Sequence, residues 1–139
     1  MQVILHQSPS GLGNVAVCTP TGEVAINEVL NRVKTQYPEA FIVDASSLPN
    51  SDNDFFDAWE LADGVVTVSL AKAKELTKKR LRAERTPLLA AQDVAFQRAQ
   101  EAGSDTTAIV AEKNRLRDVT ALADAATTLE GLRAIKAGV

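Results

Sequence analysis

A chain of 139 residues with net charge −3 and a single cysteine has room for one core of ordinary size, or for one small core and a helical appendage. The lone Cys18 excludes an internal disulfide and a cysteine-based zinc site, and no apolar run approaches the roughly 18 residues of a membrane-spanning helix. Charge is unevenly spread: residues 1–64 carry two basic and nine acidic side chains, net −7, and residues 65–139 carry thirteen and nine, net +4, a division that favours docking between opposite charges and speaks against a general nucleic-acid binder, which would be basic throughout.

The N-terminus lacks a charged region followed by an apolar one, so a soluble protein without a signal peptide, in a reducing compartment, is expected. Residues 3–6 and 14–18 are short β-prone runs separated by the turn-rich Gln7–Gly13, and they are expected to pair as a hairpin. From Glu23 to Gln36, Ile26, Val29, Leu30 and Val33 fall on one helical face, which predicts a helix of about three turns. Tyr37-Pro38 ends it, and Phe41-Ile42-Val43 reads as a short buried strand before the loop Ser46–Asn53.

The clearest β signal is Phe55–Leu61, then Asp63-Gly64, then Val65–Leu70. Asp-Gly is a favoured two-residue hairpin turn. With that turn Ala62 faces Val65, Leu61 faces Val66 and Trp59 faces Val68, so Trp59, Leu61, Val66 and Val68 share one face and Trp59 anchors it.

Ala71–Ala102 has one proline, no glycine and good helix formers at most positions. Leu81, Leu88 and Ala95 recur every seven residues beside a second row, Leu89 and Phe96, which makes a narrow apolar stripe that needs a partner helix. That partner follows at once: Gly103 suits a helix C-terminus, Ser104 or Asp105 an N-cap, and Ile109, Leu116 and Val119 line a shorter helix ending near Asp118. Pro87 is the one local conflict, resolved either by a kink, which we favour, or by Thr86 capping a second helix. After an alanine-rich stretch, Thr127 or Thr128 can cap a last short helix over Leu129, Leu132 and Ile135. The expected fold is α+β: a small domain over residues 1–70 with its Asp-Gly hairpin at 55–70, then an antiparallel helical hairpin and a short terminal helix over residues 71–139.

No constellation of catalytic residues can be assembled. His6, the only histidine, lies in a strand without a nucleophile context. The acidic run Asp52, Asp54, Asp57, Glu60 and Asp63 fails as a calcium loop, because Phe55 and Phe56 occupy ligand or turn positions and no glycine supplies the bend. Gly11-Leu12-Gly13 is too short for a phosphate loop. We therefore expect neither enzyme activity nor a cofactor nor a metal. The basic run Lys72, Lys74, Lys78, Lys79, Arg80, Arg82 and Arg85 spreads around the helix instead of forming a stripe, so a solvated helix or an acidic protein surface is favoured over nucleic acid.

A longer pattern is more specific: Arg82-Ala83-Glu84-Arg85-Thr86-Pro87-Leu88-Leu89, then Asp93, then Leu116-Arg117-Asp118-Val119. A turn near Gly103 sets Asp93 opposite Asn114–Arg117 and Arg85 near Asp118–Leu122, flanking a seam of Leu88, Leu89, Phe96 and Leu116. This arrangement, led by the Phe56–Leu61 segment, resembles the C-terminal helical region of bacteriophage tail assembly chaperones and tail-fibre assembly proteins over about residues 55–135. It departs from them at Val94, where the family often has an aromatic, and at Pro87. The resemblance implies a non-enzymatic accessory protein of the host cytoplasm, or of the virion tail, that binds a tail-fibre or baseplate protein or a second copy of itself. Leu81, Arg82, Arg85, Leu88, Leu89, Asp93, Phe96, Leu116, Arg117 and Asp118 are the candidate contact residues, with Trp59 as structural anchor. The alternative is a small regulatory or nucleic-acid-associated protein using the basic helix 72–85, whose binding would be salt-sensitive.

Overall fold

A computed structural model describes residues 1–9 and 14–138. The fold is α+β, with antiparallel sheets and a C-terminal helical pair, and the chain divides into two units, Met1–Ser69 and Leu70–Val139.

In the first unit β1 (Gln2–Gln7) is the centre of a three-stranded antiparallel sheet, flanked by β2 (Val15–Cys18) and β3 (Phe41–Asp44). Its consecutive Val3, Ile4 and Leu5 are all buried. Alternate side chains point to opposite faces, so such a run suits a central strand covered on both sides. The β1–β2 pairing is the expected one, with Leu5 opposite Val17, while part of the turn expected over Gln7–Gly13 lies outside the described residues. Helix α1 (Ile26–Lys34) is shorter than the expected Glu23–Gln36, and Ile26, Val29, Leu30 and Val33 are half-buried.

The second hairpin, β4 (Trp59–Ala62) and β5 (Val65–Val68), has the predicted register: Trp59 opposite Val68, Leu61 opposite Val66, Ala62 opposite Val65. Asp63 and Gly64 take φ of +52° and +75°, the left-handed pair whose twist matches the flanking strands. The expectation that the strand begins at Phe55 is corrected. Residues Asn50–Ala58 form 3-10 turns. In a strand Phe55 and Phe56 would face opposite sides, whereas the turn lets Phe55 be buried while Phe56 packs on the core. That core joins Val3, Leu5 and Val15 of the sheet to Trp59 and Val66 of the hairpin, with Leu61 and Val68 at its margin.

In the second unit α2 (Leu70–Glu101) runs unbroken through Pro87. The Thr86 hydroxyl donates back to the Arg82 carbonyl, 2.8 Å, so Thr86 does not cap a new helix there. Gly103 at φ +68° closes α2: its N–H and that of Ser104 donate to the carbonyls of Gln100 and Ala99 at 3.1 and 2.8 Å, the paired bonds of a glycine-terminated helix. Asp105 then accepts from the Thr107 N–H and hydroxyl, and α3 (Thr107–Ala125) returns along α2. It runs seven residues past the expected end at Asp118, because Val119 and Ala123 continue the buried row begun by Leu116 and the alanines after Thr120 are strong helix formers. Thr128 caps α4 (Leu129–Ala134), accepting from the Gly131 N–H at 3.0 Å. Among the described residues no helix is long and apolar enough to cross a membrane.

Candidate functional site: the helical hairpin and its clamps

The seam between α2 and α3 differs along its length. At the end carrying α4, Ala73, Thr77 and Leu81 of α2 and Leu116, Val119 and Ala123 of α3 are buried. Thr77, the polar residue among them, is satisfied by donating to the Ala73 carbonyl at 2.9 Å. Toward the turn no residue of either helix is buried: Leu88, Leu89, Phe96 and Ile109 are half-covered, and Val94 and Val110 are exposed. Two helices alone cover only one side of each other. Where α4 stops, the apolar stripe stays partly open.

Charged side chains set the register. Arg85 crosses the seam and donates to the carbonyls of Leu116 and Arg117, 3.5 and 2.7 Å. Asp93 pairs with Lys113 at 2.6 Å, and that ammonium stands 5.1 Å over the Phe96 ring. Sequence spacing places Asp93 opposite Asn114–Arg117; its partner, Lys113, lies one residue earlier. Lys78, part of the basic run read as solvated, is instead held between Glu75 at 2.9 Å and Asp124 at 2.5 Å, its side chain 16% exposed. The Asp124 carboxylate, and after it Glu75, raises the Lys78 pKa.

A second network was missed in the sequence. Arg80 pairs with Glu84 at 2.6 Å and donates to the carbonyls of Leu132 and Ile135 at 3.2 and 2.8 Å. The Glu84 carboxylate accepts from the Ala137 N–H at 3.1 Å, and Arg115, paired with Glu112, donates to the Ala137 carbonyl at 2.9 Å. These bonds seat the C-terminal arm, in which Leu132 and Ala137 are fully buried. The spacings Arg80–Glu84 and Glu112–Arg115 were visible as helical pairs. Their additional bonds to the chain's last residues were not, since no local pattern specifies them.

The Ala137 N–H, and after it Arg80, hold Glu84 below the usual 4.5 of a glutamate. A depressed carboxylate contributes stability that is complete above the unfolded pKa and is lost as pH falls through the folded value. We expect the Ala137 amide to lose hydrogen-exchange protection below about pH 4.5, and Glu84→Gln to lower its protection at neutral pH while flattening that acid dependence. Protection equally steep in the variant would show that another carboxylate is responsible.

The candidate contact residues are thus split. Leu81 and Leu116 are buried inside the unit; Arg85 and Asp93 bridge the helices; Leu88, Leu89 and Phe96 are half-buried; Arg82, Arg117 and Asp118 are exposed. Of the basic run, Lys74 donates to the Asp124 carbonyl at 2.9 Å, and Lys78, Arg80 and Arg85 are engaged as described. Lys79 and Arg82 are exposed. His6 stacks on Tyr37, ring centroids 3.9 Å apart, and its Nδ1 lies 2.7 Å from the Gln7 carbonyl.

The fold and the site define an α+β chain whose second unit is a clamped helical hairpin. No family model, no curated protein and no solved structure matches it.

Proposed function

We propose that this chain is a non-enzymatic accessory protein of a bacteriophage tail, binding a tail-fibre or baseplate protein to assist assembly. The supporting observation is the incompletely closed seam near the hairpin turn, where Leu88, Leu89, Phe96 and Ile109 are half-covered beside exposed Val94 and Val110. Aromatic and leucine anchors of this kind, surrounded by charge, can carry affinity for a partner helix or fibre segment. The direction toward phage tails comes from the resemblance of the Arg82–Asp93 and Leu116–Val119 pattern. The nucleic-acid alternative is weakened because four basic residues of the run, Lys74, Lys78, Arg80 and Arg85, bond within the unit.

The test is to co-express the fibre protein with and without this chain, measure soluble trimer, and probe purified particles with antibody. A higher trimer yield with the chain supports the reading, as does its presence on the particle. Lys79→Glu with Arg82→Glu is expected to weaken fibre binding, by at most roughly fivefold per charge at low salt and less at high salt. Equal yields without the chain, together with its absence from particles, would overturn the proposal.

A further inference from the structure

We propose that the C-terminal arm, Thr128–Gly138, is exchangeable: its seat on α2 and α3 takes the same arm of a second copy when α3 and α4 straighten into one helix. This is independent of the tail reading.

The first observation is the absence of a stop signal at the end of α3. At the end of α2 a left-handed glycine and two reciprocal bonds terminate the helix. Beyond Ala125 the chain reads Ala126-Thr127-Thr128, with neither glycine nor proline. The cap bond there is Ala126 N–H to the Ala123 carbonyl, at 3.3 Å. What turns the chain lies downstream of α3: the Thr128 cap on the Gly131 N–H and the docking of Leu132. If residues 126–128 take helical angles, each adds about 1.5 Å of rise along α3. Leu132 is then carried off its own seat.

The second observation is how the arm is gripped. The bonds from Arg80, Glu84 and Arg115 all go to main-chain atoms, the carbonyls of Leu132, Ile135 and Ala137 and the Ala137 N–H. Leu132 and Ala137 are the fully buried side chains. The charged groups of the seat are already paired as Arg80–Glu84 and Glu112–Arg115, so a departing arm leaves no uncompensated charge. The apolar surface under Leu132 would be uncovered, however, and the occupant that restores every one of these contacts is the identical arm of another copy. Reciprocal exchange of that kind closes a symmetric dimer with no new interface chemistry.

The experiment uses the full chain carrying Thr128→Ala and Gly131→Ala. The first removes the cap; the second favours continuous helix, and the nearest obstacle to its Cβ, the Thr128 hydroxyl at 3.1 Å, is gone in the double variant. The monomer–dimer dissociation constant, measured by analytical ultracentrifugation, is expected to fall roughly tenfold or more relative to the unaltered chain, and adding Leu132→Asp should abolish the dimer. A double variant that stays monomeric at every concentration, or a dimer that survives Leu132→Asp, overturns the proposal. Should the double variant not fold, two pools of unaltered protein with different N-terminal tags are concentrated together, warmed, and captured on one tag. Slowly forming mixed dimers support exchange, and their absence overturns it.

Discussion

Trp59→Ala is expected to destabilise the first unit by about 3–5 kcal/mol, the usual cost of removing a buried tryptophan. Trp59 is 2% exposed, lies 4.9 Å from the Phe56 ring, faces Val68 across the hairpin and donates its indole N–H to the Asp52 carbonyl at 3.2 Å. With Val66 it joins Val3, Leu5 and Val15 in one core, with Leu61 and Val68 packed against it, so the hairpin and the three-stranded sheet share a core in which Trp59 is the largest side chain. Truncation leaves a cavity between the sheets and removes the donor for Asp52. A unit of this size has a total stability of roughly 3–10 kcal/mol, so the variant should sit at the edge of unfolding at 25 °C. Urea titration followed by amide resonances of residues 2–68 reads this directly. An unchanged midpoint would contradict the placement of Trp59 in the core.

Leu116→Asp should leave the second unit unfolded at neutral pH. Leu116 is 1% exposed on the seam between α2 and α3. The substitution combines the loss of a buried leucine, about 2–5 kcal/mol in the milder case of alanine, with the cost of burying a carboxylate. Arg85 reaches this part of the seam, yet it already donates to the carbonyls of Leu116 and Arg117; turning it to the new carboxylate would release the bonds that cross the seam. Because α2, α3 and α4 hold most of the chain's helix, far-UV circular dichroism should show loss of most helical signal. Partial recovery toward acid pH is expected, since protonation removes the buried charge. Retention of the full signal and an unchanged melting curve would show that the seam is not closed at Leu116.

Local sequence sufficed where one short-range rule acted without competition. Asp63-Gly64 set the register of β4 and β5, because few residues tolerate two successive positive φ angles. Gly103 ended α2, and Thr128 capped α4, for equally local reasons. The sevenfold spacing of Leu81, Leu88 and Ala95 called for a second helix, since a stripe that narrow cannot be covered otherwise. Tertiary structure alone decided the rest. Phe55 and Phe56 read as strand by propensity, but covering both required a 3-10 turn. The length of α3 depended on how much of α2 needed a partner, which no signal at Asp118 records. The basic run reads as a solvated face, yet Lys74, Lys78, Arg80 and Arg85 bond to residues 31 to 55 positions away. Helical periodicity tells which side chains share a face. It cannot tell which distant carbonyl or carboxylate will meet them, because that depends on the crossing of α2 with α3 and on where the C-terminal arm comes to rest.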